Sequence, residues 1–231
     1  ILGFQISFER LLLGLEEAQF LLSGMYPPNF GQRQRSLIIN GMIESISMSI
    51  ISSIIGILIS IPIAFMSAKN IASKPVYLIG RGILTSTRSL HALILALIAV
   101  KLVGVGPLAG TITLVIITVG FYGKLLAEDI EDINPSQLEA IRATGADRFQ
   151  VLLYGIIPQI MPRILALSIY RLDINLRAST VIGIVGAGGI GMSLINSFEL
   201  FDYGFALAIL LSIIFVVFLG EILSAVVRRG D

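Results

Sequence analysis

Residues 128–158 read EDIEDINPSQLEAIRATGADRFQVLLYGIIP, the only long polar interval between the apolar spans of this chain. Glu128, Asp129, Glu131, Asp132 and Glu139 all fall in it. The chain has 231 residues, of which 55% are hydrophobic and 13% charged, with a mean hydropathy of +0.93. Soluble domains carry about 25% charge, so lipid is the expected solvent. A chain this sparing with charge that concentrates it in one connector is expected to meet a partner there.

Within that interval, the local signals describe a helix, a turn and a second helix. Asn134 is a capping residue, Pro135 suits a first helical position, and Gln137 is spaced to reach back to the cap. The helix is expected to run to Ala143. Gly145 fits its C-terminal end, where a left-handed conformation needs no side chain. A second helix starts near Asp147 and enters the membrane around Tyr154. The bland alternative is an ordinary polar connector.

Working outward, apolar spans are expected at about 42–66, 82–103, 108–126, 156–185 and 205–227, each near the roughly 20 residues that cross a bilayer. Ser45, Ser49, Ser52 and Ser53 in the first fall close to an i, i+4 stripe, which suits close helix packing in lipid. Pro62 is expected to kink it. Residues 1–23 are interrupted by Glu9, Arg10, Glu16 and Glu17. They fit an amphipathic interfacial helix or the tail of a further span, which would make six. Lys and Arg concentrate at 69–81, 142–148 and 228–229, all on one side by alternation, with Arg33 and Arg35 opposite. The positive-inside rule makes the first side cytoplasmic. The expected organisation is an N-terminal interfacial segment (1–36) and one transmembrane domain (37–231) with a cytoplasmic loop at 128–150.

Several functions are disfavoured. A net charge of +1 gives no nucleic-acid footprint. The chain has no cysteine and one histidine, His91, so thiolate chemistry and multi-histidine metal sites are excluded. Gly186, Gly188 and Gly191 spell G-x-G-x-x-G, but they follow a membrane span without a βαβ unit, so a packed turn is expected rather than a dinucleotide site. No G-x-x-x-x-G-K-[ST] occurs, so ATP would be held by another polypeptide.

The spacing Glu139-Ala140-Ile141, three residues, Gly145, nine residues, then GIIP at 155–158 resembles the EAA motif of binding-protein-dependent ABC importer permeases. Ile141, Gly155 and Ile157 depart mildly from that pattern. The resemblance implies an all-α polytopic type I importer permease. Its short helix, with Glu139, Ala140, Ile141, Ala143, Gly145 and Ala146, would couple to an ATPase. A narrower resemblance, to permeases of phosphonate- and phosphite-type importers, rests on RSL at 88–90, GVGPLAG at 104–110, GKL at 123–125, INLRAS at 174–179 and GAGGIG at 186–191. His91 stands where that branch carries proline after the RSL run.

Charge inside a membrane helix is costly and usually faces a bundle interior or an aqueous path. Asp173 and Arg177 are four apart and can pair on one face, whereas Arg171 points elsewhere. An anionic cargo would be offset by cations along its path, so Arg171, Asp173, Asn175, Arg177, Arg88 and His91 are the candidate pathway residues. The alternative for Asp173 and Arg177 is a structural ion pair. The expected protein is a non-catalytic inner-membrane permease with no cofactor of its own. Its expected partners are a second copy, two ATPase subunits holding ATP and Mg, and a periplasmic solute-binding protein. The alternatives are an importer of another solute such as an amino acid, an ATPase-independent channel or secondary transporter, and a membrane enzyme.

Overall fold

A computed structural model describes the backbone of residues 8–228 and the side chains of residue 10 and residues 12–222. The expectations for residues 1–7, the Arg228 side chain and Arg229 lie outside the described residues. Within them all regular structure is helical: α1 Phe8–Met25, α2 Gln32–Met66, α3 Lys74–Ser89, α4 Ala92–Val103, α5 Pro107–Glu131, α6 Pro135–Ala143, α7 Arg148–Val151, α8 Ile157–Ile182, α9 Ile190–Glu199 and α10 Tyr203–Arg228. A π-helical turn, Leu152–Ile156, joins α7 to α8, and a 3₁₀ turn, Gly183–Val185, follows α8.

Among the described residues, four stretches are long and apolar enough to cross a membrane: Gln32–Met66, Pro107–Glu131, Arg148–Glu199 and Tyr203–Ile222. The span expected at 82–103 is different. It is divided between α3 and α4, which meet at 90° and make a fifth span only if taken together. The break has a local cause. Leu90 and His91 are extended, with ψ of 136° and 148°, and the His91 ring nitrogen accepts from the Leu93 N–H at 3.4 Å to cap α4. A run that reads as one apolar segment by composition is therefore restarted by its own capping residue.

α2 and α5 form the most extensive helix pair, and α5 also touches α3, α4 and α8. The serine stripe explains the closeness. Ser45, Ser49, Ser52, Ser53 and Ser60 are all buried on α2. Four of the hydroxyls are satisfied on their own helix: Ser49 donates to the Ser45 carbonyl and Ser53 to the Ser49 carbonyl, both at 2.7 Å, and Ser52 and Ser60 donate likewise to carbonyls of α2, while Ser45 accepts from the Ile190 N–H. Small self-satisfied residues let the backbones approach without orphaning a polar group in lipid. Gly56 marks the tightest point, since a Cβ there would lie 2.5 Å from Thr118 Cβ on α5. Pro62 lies inside α2. At 35 residues, α2 is about 52 Å long and exceeds the roughly 30 Å hydrocarbon core. α1 is not among the apolar stretches, and its Gly24 packs on Tyr203 at the start of α10.

The acidic run at 128–132, expected as the start of the cytoplasmic loop, is mostly helical. α5 continues through it to Glu131. Glu131 accepts from the Lys69 N–H at 2.8 Å and pairs with Arg81 at 3.0 Å, while Arg81 also donates to the Ser67 carbonyl at 2.9 Å. The carboxylate ties the ends of α2 and α5 to α3. Lys124 pairs with Glu128, and Arg163 with Asp129 at 3.9 Å.

The Gly-rich run at 186–191 is a packed turn, as expected. Glu44 accepts from the Gly189 N–H at 2.9 Å, Ser45 from the Ile190 N–H at 3.0 Å, and Gly106 donates to the Gly186 carbonyl.

Candidate functional site: a polar knob and a buried polar cluster

The knob is built from α6 and the turn that follows. Asn134 caps α6, its side-chain oxygen accepting from the Ser136 N–H at 3.0 Å, and Pro135 takes the first turn. The expected return bond from Gln137 is not made. The Asn134 N–H instead donates to Gln159 of α8 at 3.2 Å, a tertiary partner that replaces the local one. Gly145 has φ +83°, a left-handed conformation that a side chain would strain. Asp147 and Gln150 then form a complete capping box, at 2.8 and 2.9 Å.

What makes the knob rigid is Gly155. It lies in the π turn beneath α6, and a Cβ there would sit 2.8 Å from Leu138 and 3.2 Å from Ile141. Leu138 is buried, and Ile141 and Ala146 pack partly buried on the same core as Tyr122, Leu126 and Ile160. Glu139, Ala140, Arg142, Ala143 and Gly145 are exposed on the opposite side. A hollow lined by Ala140, Thr144, Gly145, Ala146, Gln150 and Tyr154 opens there, and exposed Phe149 adds apolar surface. The six residues expected on the docking helix thus divide into an outer set and two anchors, Ile141 and Ala146. Phe149, Tyr154 and Gln159 were missed. The exposed aromatics flanking the Gly145 turn were the available signal.

The six expected pathway residues do not form one site. Arg171 and Asn175, one turn apart on α8, are buried against α2 and α5. Asn175 donates to Ser53 at 2.8 Å and to Thr118 at 3.0 Å, and the Arg171 Nε–H donates to Thr118 at 3.0 Å. The Arg171 guanidinium lies 5.2 Å from the Phe121 ring centre. Its Nη2 is buried without an acceptor. Asp173 and Arg177 pair with each other on a different face, as their spacing predicts. Arg88 and His91 stand apart at the α3–α4 break, both exposed, with the Arg88 stem lying over Gly120. Ser53, Thr118 and Phe121 were not singled out from the sequence, because their role exists only across helices.

Arginine at a helix centre in a bilayer costs about 2.5–3.5 kcal/mol on insertion scales. Against this, an interhelical hydrogen bond returns about 0.6 kcal/mol and a cation–π contact about 0.5–2 kcal/mol. The contacts of Arg171 therefore offset only part of its cost. Among the described residues no group of three or more acidic or histidine side chains could hold a metal.

Among the described residues, all-helical structure with several membrane-length apolar stretches and a helical knob at one polar end defines a multi-pass membrane protein. Residues 56–230 match the family described as binding-protein-dependent transport system inner membrane component. The chain belongs to that family, as a multi-pass inner-membrane permease subunit of an ABC importer. It is 40% identical over 221 residues, 95% of this chain and 79% of the relative, to the phosphite transport system permease protein PtxC of Stutzerimonas stutzeri. It is 35% identical over 92% of this chain and 75% of the relative to the putative phosphite transport system permease protein HtxC of the same organism. Among solved structures, it resembles inward-facing conformations of the MetNI methionine ABC transporter, with a TM-score of 0.76, 19% identity, and 87% of this chain and 99% of that chain covered. At that identity the likeness concerns the fold alone.

Proposed function

We propose that this permease carries a small phosphorus oxyanion, of the phosphite or phosphonate class, across the inner membrane by ATP-driven alternating access. Two copies would form the path, two ATPase subunits holding ATP and Mg would act on the cytoplasmic side, and a periplasmic binding protein would deliver the cargo. The cargo reading is supported by the 40% identity to a phosphite permease over nearly the whole chain.

The observation that carries the mechanism is the tie between α6 and α8. Gln159 holds the Asn134 N–H, and Leu138 and Ile141 rest on Gly155. A push on Glu139, Ala140, Ala143 or Gly145 would then move α8 as a lever, and with it Arg171 and Asn175. In this reading Ile141 and Ala146 anchor the knob, and residues 128–150 form the coupling segment. Arg171, Asp173, Asn175 and Arg177 act along the path, and Arg88 and His91 form its margin at the α3–α4 break.

The test is reconstitution of the permease with its ATPase and binding-protein partners in vesicles, following uptake of labelled phosphite, methylphosphonate and methionine. ATP-dependent uptake of the phosphorus compounds is expected. Uptake without ATP would indicate a channel, and uptake of methionine alone would overturn the cargo.

A further inference from the structure

We infer that Arg171 is a shielded oxyanion station near the middle of the membrane, screened in this conformation by the Phe121–Tyr170 ring pair and approached along an exposed Arg163–Tyr170–Arg177 stripe of α8. This rests on the proposed oxyanion cargo and deepens it.

Three observations converge. First, Arg171 is 2% exposed, yet its Nη2 has no acceptor and its Nε–H donates to a neutral hydroxyl, that of Thr118, rather than to a carboxylate. A cation that served only to bolt α8 to α5 would be expected to have its donors filled, because no water competes for them there. A guanidinium nitrogen with unfilled donors is a group that can recognise a tetrahedral oxyanion through charge-assisted hydrogen bonds.

Second, an aromatic pair adjoins this cation and reaches the exposed surface. The Phe121 ring centre lies 5.2 Å from the Arg171 guanidinium carbon and 6.2 Å from the Tyr170 ring centre, the rings tilted by 44°. Tyr170 is 42% exposed. Rotation of two side chains, without any change in the helices, would open Arg171 to the face that Tyr170 occupies.

Third, that face is not suited to lipid. Arg163, Tyr170 and Arg177 are spaced seven apart, so they fall on one side of α8 at intervals of about 10 Å. All three are exposed, with 71% and 49% of the Arg163 and Arg177 side chains accessible. Tyr170 lies at the centre of α8, between its ends at Ile157 and Ile182. Exposed arginines more than a turn inside a spanning helix face water or protein rather than acyl chains. Lys124, half-buried one turn along α5 from Phe121, extends the same polarity. Arg177 pairs with Asp173 and Arg163 with Asp129 at 3.9 Å, and Tyr170, whose neighbour in the chain is Arg171, lies midway between them.

The absence of cysteine from the chain makes access measurable. In vesicles holding the complete complex, Arg171→Cys should react slowly with an anionic methanethiosulfonate in the resting state. It should react about tenfold or more faster when ATP and loaded binding protein drive turnover. Phe121→Ala with Arg171→Cys should react fast in every state. Protection of position 171 throughout the cycle, or no acceleration by Phe121→Ala, would overturn the station. Uptake provides the second arm and decides the matter if the cysteine variant does not assemble. Arg171→Lys should raise the KM for phosphite roughly tenfold with kcat little changed, and Arg171→Gln should lower kcat/KM roughly 100-fold. Phosphite transport by Arg171→Gln equal to that of the unsubstituted chain would refute the station. Should the unsubstituted chain carry no phosphorus oxyanion at all, the cargo reading fails instead, while the access measurement still reports whether the ring pair gates position 171.

Discussion

Asn175 has both of its amide N–H contacts directed to other helices, to Ser53 on α2 and Thr118 on α5, which makes it the point where three membrane helices are held in register. Its loss is cushioned, because Thr118 keeps a bond to the Leu114 carbonyl at 2.6 Å and Ser53 one to the Ser49 carbonyl at 2.7 Å. Asn175→Leu should therefore destabilise the chain by only about 0.5–2 kcal/mol, read as a lower thermal unfolding midpoint of the purified protein in detergent. An unchanged midpoint would show that the amide is not a tie. At this scale the sequence was partly legible. The Asp173–Arg177 pair follows from helical spacing alone, since residues four apart share a face. The partners of Arg171 do not, because Thr118 and Phe121 are some fifty residues away in the chain and adjacent only after α5 packs on α8.

The knob, the π turn and α8 pack together as one element. The π turn inserts a residue into the helix just where Gly155 must pass under Leu138 and Ile141, and such bulges recur at functional positions. Gly155→Val should wedge α6 away from α8. We expect uptake to fall roughly tenfold or more while ATP hydrolysis by the complex and membrane insertion persist. Uptake and hydrolysis falling together would argue against a lever. Glu139→Lys and Gly145→Pro should uncouple in the same way, the first by reversing charge on the exposed face and the second because proline cannot adopt φ +83°. Caps and glycine made this element readable in advance, since Asn134, Pro135 and Gly145 act locally. The Gln159 bond and the seat on Gly155 were not readable, being tertiary. The α3–α4 break shows the opposite failure: composition supplied a continuous apolar run, and the capping geometry of a single histidine ended it.

For the whole molecule, the proposed orientation puts the knob in the cytoplasm and the start of α2 outside. Thr144 and Ser36 are exposed at the two ends. In a chain without native cysteine, Thr144→Cys should react with a membrane-impermeant thiol reagent only in inside-out vesicles, and Ser36→Cys only in intact cells stripped of their outer membrane. Labelling of both from the same side would overturn the topology. Lys69, Arg81 and Arg142 favour the proposed sense by retention of cations at the cytoplasmic face.

The sequence by itself determined the membrane class, the helical content, four of the expected spans and the form of the helical knob. Each of these depends on length, hydropathy or a contact within a few residues, and so is written in consecutive positions. Tertiary structure decided the rest. It divided the 82–103 span, converted the acidic run at 128–132 into the clamp between Glu131 and Arg81, and separated the six pathway candidates into three groups. It also set Arg171 behind a ring from α5. The physical reason is that a buried charge is defined by the groups that surround it, and in this fold those groups come from other helices.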